Sequence, residues 1–175
     1  MFIRCNSEYA IMAASRCGHT NMYHYHGLEV YSTVGTNTMQ EWKEHHNPIV
    51  VLRNPLDRVM SAMLHTVANH EGKQFNSVDH QEFFYQHCYP YLHELVGINF
   101  RIIDFYDLDK YIPRSDDLEQ SYRTDSHVGD ATVEDVHVMN EFYTLQDLER
   151  EIEIYQDYMV TKERVSVEEW KELTH

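Results

Sequence analysis

The sequence predicts one α/β domain over residues 1–175, with a central, mostly parallel sheet flanked by helices. The length fits a single domain, and a composition of 42% hydrophobic and 25% charged residues is that of a globular protein. Short apolar segments alternate along the chain with segments of helical spacing, which is the order of a parallel α/β sheet. Pro48–Leu52 is apolar and β-branched, as is typical of a strand buried on both faces of such a sheet.

Five segments predict strands because they are short, apolar or alternating, and rich in β-branched or aromatic residues. In chain order they are Tyr9–Ala14, Leu28–Thr33, Pro48–Leu52, Phe100–Phe105 and Val136–Met139. Between the last two, residues 120–131 are polar and predict a connecting or functional loop. These segments supply the strands of the predicted sheet.

Five further segments predict helices. They are Asn21–His26, Thr36–His46, the residues that follow Asn54, Phe83–Leu95, and an apolar stripe from Leu145 to Met159. The third helix has the clearest start, because Asn54 can cap it and Pro55 suits its first position. Apolar residues then recur along this helix at helical spacing, so one of its faces is expected to be buried.

The balance of charge limits the classes of partner. The chain has 14 Lys and Arg against 29 Asp and Glu, a net charge of −15 at pH 7. Binding to nucleic acid or to an anionic membrane needs excess positive charge, so neither partner is expected. We expect neither a signal peptide nor a membrane span, since no apolar run approaches the ~20 residues that cross a bilayer. Three scattered cysteines favour a reducing, cytoplasmic location.

The first candidate site is the turn Ser15-Arg-Cys-Gly-His-Thr20, between the first predicted strand and the first predicted helix. A turn that leads into a helix presents backbone N–H groups and the positive end of the helix dipole to an anion. Gly18 lets the backbone come close to a ligand, Arg16 adds a permanent charge, and Thr20 adds a hydroxyl. Taken alone, this motif is equally consistent with an ordinary strand–turn–helix corner.

The second candidate site follows the predicted central strand. Arg53 stands at the carboxyl end of this strand, and Ser61 lies two turns into the following helix. Ligands of open α/β sheets bind at the carboxyl ends of the strands, so Arg53 can hold a phosphate and Ser61 can donate a hydroxyl. A capped helix with an exposed arginine is the ordinary alternative. Two anion-binding turns on neighbouring strands favour one shared site for a ligand with two phosphate groups.

These residues resemble the PAPS-dependent sulfotransferases, and among them the carbohydrate sulfotransferase branch. Ser15–Thr20 looks like the loop that binds the 5′-phosphosulfate in that family. Val51–Ala62, with Arg, Asn, Pro, Arg and Ser-Ala in order, resembles its 3′-phosphate motif. Asn99–Phe105, His127 and Val136–Asp147 are similar to the later part of the carbohydrate branch. The resemblance spans residues 8–155 and implies a P-loop-like, three-layer domain.

The resemblance implies a reaction and a set of site residues. A sulfuryl group would pass from PAPS to a hydroxyl or amine of a carbohydrate-like or small-molecule acceptor, with release of PAP and without a metal. Arg16 would stabilise the charge that builds up during transfer, Arg53 and Ser61 would hold the 3′-phosphate, and His127 would contact the acceptor or the cofactor. The 5′ end would be held by Ser15, Arg16, Cys17, Gly18, His19, Thr20 and Asn21. The oligomeric state stays open, and a dimer is compatible with the sequence.

An acceptor hydroxyl also needs a general base. Glu29 and His26 follow the first turn and are the two candidates, although a surface carboxylate and a helix-end histidine are their ordinary roles. Two other functions stay open. A PAP-binding protein of the same fold without turnover is suggested by His19 and Asn21, which depart from the usual family residues. A small P-loop-like nucleotide kinase is the other, although its GxxxxGK[ST] motif is absent.

Overall fold

The computed structural model describes residues 1–28, 37–69, 78–113 and 143–175. The chain divides into two compact units. The first unit is Met1–Arg53, Gly97–Glu119 and Thr161–His175, and the second is Asn54–Val96 and Gln120–Val160. The first unit contains a sheet with helices, and the second contains helices. The expectation of a single domain over residues 1–175 stays a prediction.

A four-stranded sheet forms the centre of the first unit, in the order β1-β2-β3-β4. The strands are β1 (Phe2–Cys5), β2 (Ala10–Ala13), β3 (Pro48–Leu52) and β4 (Arg101–Asp104). β1 is antiparallel to β2, whereas β2, β3 and β4 run parallel to one another. The carboxyl ends of β2, β3 and β4 therefore lie along one edge of the sheet.

Three α-helices of the first unit are α1 (His19–Tyr25), α2 (Met39–Glu44) and α6 (Val167–Thr174). Met22 of α1 and Trp170 of α6 join one buried cluster with Ile49 and other inward side chains of the sheet. Trp42 of α2 is fully buried, and its indole N–H donates to the backbone carbonyl of Ile49 at 3.0 Å. These contacts confirm the prediction of an α/β fold with a mostly parallel sheet flanked by helices.

The second unit contains α3 (Pro55–Asn69), α4 (Val78–Cys88) and α5 (Leu145–Thr161). The side chain of Asn54 accepts a hydrogen bond from the backbone N–H of Leu56 at 2.9 Å, as the predicted helix start requires. Val59, Phe84 and Leu148 belong to the buried cluster of this unit. Among the helices of the described ranges, none is both long and apolar enough to cross a bilayer.

The fold differs from the sequence prediction in several elements. The helix predicted over Phe83–Leu95 ends at Cys88, and a separate 3-10 helix covers Leu92–Leu95, because Pro90 forces the preceding residue out of helical backbone. β1 and α6 are not predicted by the sequence pattern. Apart from Leu28, the predicted strand Leu28–Thr33 lies outside the described residues, as do the predicted loop 120–131 and the predicted strand Val136–Met139.

Candidate functional site

The two turns that the sequence predicts as anion sites follow neighbouring parallel strands. Ala13 at the end of β2 pairs with Val51 of β3, so the Ser15 turn and Arg53 emerge at the same edge of the sheet. This edge is where open α/β sheets bind ligands. The candidate site is therefore built from the carboxyl ends of β2 and β3, with β4 beside them.

The first turn is tight and conformationally strained. The backbone N–H of Cys17 donates to the carbonyl of Ala14 at 3.0 Å, which closes the turn directly after β2. Arg16 has a φ of 64° and is the only non-glycine residue with a positive φ among the described residues. This left-handed conformation costs an L-residue roughly 1–2 kcal/mol, so other contacts must hold it in place. Gly18, with a φ of 80°, then leads into α1.

Gly18 is required for space as well as for conformation. A Cβ at this position would lie 2.4 Å from Cδ2 of Leu108 and 3.8 Å from Cε2 of Phe105. Both neighbours belong to the 3-10 helix Phe105–Lys110 that follows β4. The sequence interpretation assigned Gly18 to the close approach of an anion. The structure shows a second reason for a glycine at this position, which is the close packing of the 3-10 helix against the turn.

Arg53 reaches the first turn and is 6% exposed. Its Nη1 donates to the backbone carbonyl of Arg16 at 2.7 Å, and its guanidinium lies 4.4 Å from the centroid of the Phe105 ring. Its Nε is buried and has no hydrogen-bond partner among the described residues. Arg53 thus connects the ends of β2, β3 and β4 and keeps one buried donor unsatisfied.

The other residues of the predicted 5′ site come together because they are consecutive. Ser15 and Cys17 are buried in the turn, and His19 and Thr20 occupy the first turn of α1, partly exposed. The Oδ1 atom of Asn21 is buried without a hydrogen-bond partner in the part of the chain described. An amide oxygen is an acceptor, so this atom adds nothing to the binding of an anion.

Ser61 and its neighbour Arg58 lie in the second unit. Ser61 is fully buried on α3, and its assignment to the 3′-phosphate stays a prediction. Arg58 is the second arginine of the same sequence motif and is 2% exposed. Its Nη1 donates to the backbone carbonyls of Cys88 at 3.3 Å and Tyr89 at 2.9 Å. It therefore holds the chain where α4 ends, a role that the sequence analysis did not assign.

The structure disfavours one of the two candidate bases. His26 is the C-terminal cap of α1, whereas the first turn lies at the opposite end of that helix, a distance of about 10 Å. Its ring stacks on Phe2, with 5.5 Å between centroids. Burial, with a smaller contribution from the charge of Arg4, lowers its pKa from 6.5 to about 4. A group with so low a pKa is a weak base at neutral pH.

Glu29 and His127 lie outside the described residues, so their roles as base and acceptor contact stay predictions. A functional contact that the sequence analysis missed is Phe105, whose ring lies against Arg53. Its position as the last residue of the predicted strand Phe100–Phe105 was the available signal, because residues at that strand end reach the same edge of the sheet.

Comparison of the chain with protein-family models, with curated proteins and with solved structures finds no match. A sulfotransferase function is therefore a proposal, which is supported by the sequence resemblance and by the geometry around Arg53.

Proposed function

We propose that this chain is a PAPS-dependent sulfotransferase, which transfers a sulfuryl group to a hydroxyl or amine of a carbohydrate-like or small-molecule acceptor and releases PAP. A P-loop-like, three-layer fold is part of the proposal. One observation carries it. The buried Arg53 guanidinium sits at the carboxyl edge of the sheet, bonded to the Arg16 turn, and no carboxylate of the described residues pairs with it.

A buried guanidinium keeps its charge and needs groups that compensate for it. Arg53 has one carbonyl at 2.7 Å and one aromatic face at 4.4 Å, and each of these stabilises a cation less than a carboxylate does. Its Nε–H lacks an acceptor within the described ranges. A phosphate oxygen supplies both the missing negative charge and the missing acceptor. The 3′-phosphate of PAPS or PAP fits this requirement.

In this proposal PAPS supplies the sulfuryl group, and the residues of the chain bind and orient. Arg16 stabilises negative charge at the transferring group, and the turn from Ser15 to Asn21 holds the 5′ end. Arg53 holds the 3′-phosphate, which distinguishes PAPS from nucleotides without one, and the assignment of Ser61 to this phosphate stays a prediction from the sequence. His127 contacts the acceptor. Glu29 and His26 are the two candidates that take the acceptor proton, and His26, with its pKa lowered to about 4, is a weak base.

A PAP-binding protein without turnover is the second candidate function. The observation that favours it is His26, a candidate base that lies at the end of α1 and whose pKa is lowered to about 4, so that it is a weak base at neutral pH. The two candidates share the Arg53 site and differ only in the transfer step. A small nucleotide kinase has no observation in its favour, since the Walker A motif is absent from the sequence.

Thermal unfolding with nucleotides tests the proposal. A ligand that binds only the folded chain raises its melting temperature, so about 1 mM PAP should raise it by several degrees. Adenosine 5′-phosphate, which lacks the 3′-phosphate, should give a smaller shift, and Mg-ATP should not exceed PAP. Arg53→Gln should abolish the PAP shift. Arg150→Gln, at an exposed arginine of α5, is the matched control and should keep it.

Sulfate transfer from PAPS to a panel of hydroxyl and amine acceptors then separates the two candidates. Turnover that disappears in Arg16→Ala supports the sulfotransferase. A PAP-dependent shift without transfer to any acceptor favours the binding protein. Absence of any PAP shift in the wild-type chain contradicts both.

A further inference from the structure

Phe105 is the first residue of the 3-10 helix that follows β4. The side chain of Asp104 caps this helix by accepting a hydrogen bond from the N–H of Tyr106 at 3.1 Å. This cap fixes the start of the helix at the carboxyl edge of the sheet. The Phe105 ring, partly buried, packs there against the buried cluster of the first unit.

The ring contacts Arg53 and lies beside the Gly18 turn. The guanidinium carbon of Arg53 lies 4.4 Å from the ring centroid, within the range of a cation–π interaction. On the side of the first turn, a Cβ on Gly18 would lie 3.8 Å from Cε2 of Phe105. A single aromatic side chain, directly after β4, therefore borders the Gly18 turn that follows β2 and the arginine that follows β3.

An arginine side chain has many rotamers, and losing them on burial has an entropic cost. Two contacts restrict Arg53: its guanidinium carbon lies over the Phe105 ring, and its Nη1 donates to the Arg16 carbonyl at 2.7 Å. The carbonyl contact also supports Arg16 in its left-handed conformation, with a φ of 64°. Nε is the donor left over, buried and without an acceptor in the described residues.

We infer that Phe105 is a positioning residue: its ring fixes Arg53 so that Nη1 holds the Arg16 carbonyl while Nε donates to the ligand. The identity of the ligand, an adenosine with 3′- and 5′-phosphate groups, rests on the proposed function. The orientation of Arg53 by Phe105 does not rest on it. Phe105 acts through Arg53 and sets the preference for a ligand that carries the 3′-phosphate.

Three variants and two ligands test this inference. Phe105→Leu removes the aromatic face, Phe105→Tyr keeps it, and Tyr106→Leu removes the neighbouring, more exposed aromatic ring as the matched control. The dissociation constants of PAP and adenosine 5′-phosphate are measured by calorimetry for each chain. In Phe105→Leu we expect the preference for PAP over adenosine 5′-phosphate to fall about tenfold. Phe105→Tyr and Tyr106→Leu should keep the wild-type preference within about threefold.

A purely structural role of Phe105 predicts a different pattern, in which both nucleotides bind more weakly by the same factor. An unchanged preference in Phe105→Leu overturns the inference. Should Phe105→Leu fail to fold, Phe105→Met, whose flexible side chain fills irregular space without an aromatic face, provides the same comparison.

A measurement without ligand separates this inference from the proposed function. In the wild-type chain, the NMR signal of the Arg53 Nε–H should show slow exchange with water. The exchange should be at least about tenfold faster in Phe105→Leu, and Tyr106→Leu should leave it unchanged. If the wild-type chain binds no PAP but this difference is found, the proposed function fails and the positioning role stands. If the exchange is equal in all variants, the positioning role fails.

Discussion

Arg53 and Arg58 belong to the same short motif, are both buried and both bond backbone carbonyls, yet they lie in different units of the chain. Arg53 follows β3 in the first unit, where it bonds the Arg16 carbonyl and keeps Nε without an acceptor in the described residues. Arg58 lies on α3 in the second unit, where its Nη1 bonds two backbone carbonyls at the end of α4 and its guanidinium lies 4.9 Å from the Tyr91 ring.

The different positions of the two arginines indicate which of them a ligand at the sheet edge would contact. Arg58 supplies a donor to two carbonyls that α4 leaves unsatisfied at its end, so it stabilises the second unit. Each arginine has one buried guanidinium nitrogen that makes no hydrogen bond in the described residues, Nε of Arg53 and Nη2 of Arg58. Of the two, Arg53 is the one that lies at the edge where α/β sheets bind ligands. Removal of Arg58 should therefore cost stability, whereas removal of Arg53 should cost binding.

The largest expected effect is that of Arg58→Met. The carbonyls of Cys88 and Tyr89 lose the Arg58 donor, and the free energy of unfolding should fall by roughly 2–4 kcal/mol. Urea unfolding followed by circular dichroism measures the change. Arg150→Met, at an exposed site on α5, should stay within about 0.5 kcal/mol of the wild type. Equal urea midpoints for Arg58→Met and the wild type would contradict the structural role.

Gly18→Ala should have the next largest effect, because it disturbs the turn that Arg53 holds. The added Cβ meets Leu108 at 2.4 Å, and the φ of 80° disfavours any L side chain. We expect a loss of roughly 2–3 kcal/mol in the free energy of unfolding, together with weaker PAP binding.

Gly97→Ala is the matched control for this change. Gly97 has a nearly equal φ of 83°, but no atom lies within 4 Å of its added Cβ. Its loss should be about 1 kcal/mol, from backbone strain alone. If the two alanine variants unfold at the same urea concentration, the packing of Leu108 and Phe105 on the turn is not a stabilising feature.

The smallest expected effect concerns His26, a buried ionisable side chain of the first unit. Its pKa is about 4 in the folded chain, against an ordinary value of 6.5. Between these values the unfolded chain binds a proton that the folded chain does not, so stability falls as the pH drops from 6.5 to 4 and the loss is complete below 4. Because the ring is partly exposed to solvent, the loss is roughly 1–2 kcal/mol.

His26→Phe removes this titration and serves as the reference. As the pH drops from 6.5 to 4, the unfolding free energy of the wild type should fall relative to that of His26→Phe. At higher pH the difference between the two should be constant. A difference that is the same at pH 7 and at pH 4 would contradict the burial of a neutral imidazole in the aromatic cluster.

The parts of the fold with a strong local pattern could be predicted from the sequence. β3 is apolar throughout, and Asn54 with Pro55 marks the start of α3. β1 has the sequence FIRC, in which Arg4 interrupts the apolar residues, so it lacks the continuous apolar run that marks β2. α6 also escaped the sequence analysis, although Ser166, whose side chain accepts from the N–H of Glu169, carries the signature of a helix start.

In the candidate site too, the features with a local sequence pattern could be predicted and the others could not. Arg16 and Arg53 could be placed at one edge because each follows a predicted strand of a parallel sheet. The neighbours that give these residues their properties come from distant sequence: Phe105 lies against Arg53, and Leu108 lies against Gly18. Such contacts leave no local spacing signal. The left-handed conformation of Arg16 is equally invisible in sequence, because glycine rather than arginine marks such turns.

A crystal structure of the chain with PAP tests the central claim most directly. The account predicts a phosphate oxygen within about 3 Å of Arg53 Nε, with Nη1 still on the Arg16 carbonyl. Bound PAP that leaves this Nε without an oxygen, or crystals soaked at saturating concentration that contain no PAP at this edge of the sheet, would contradict it.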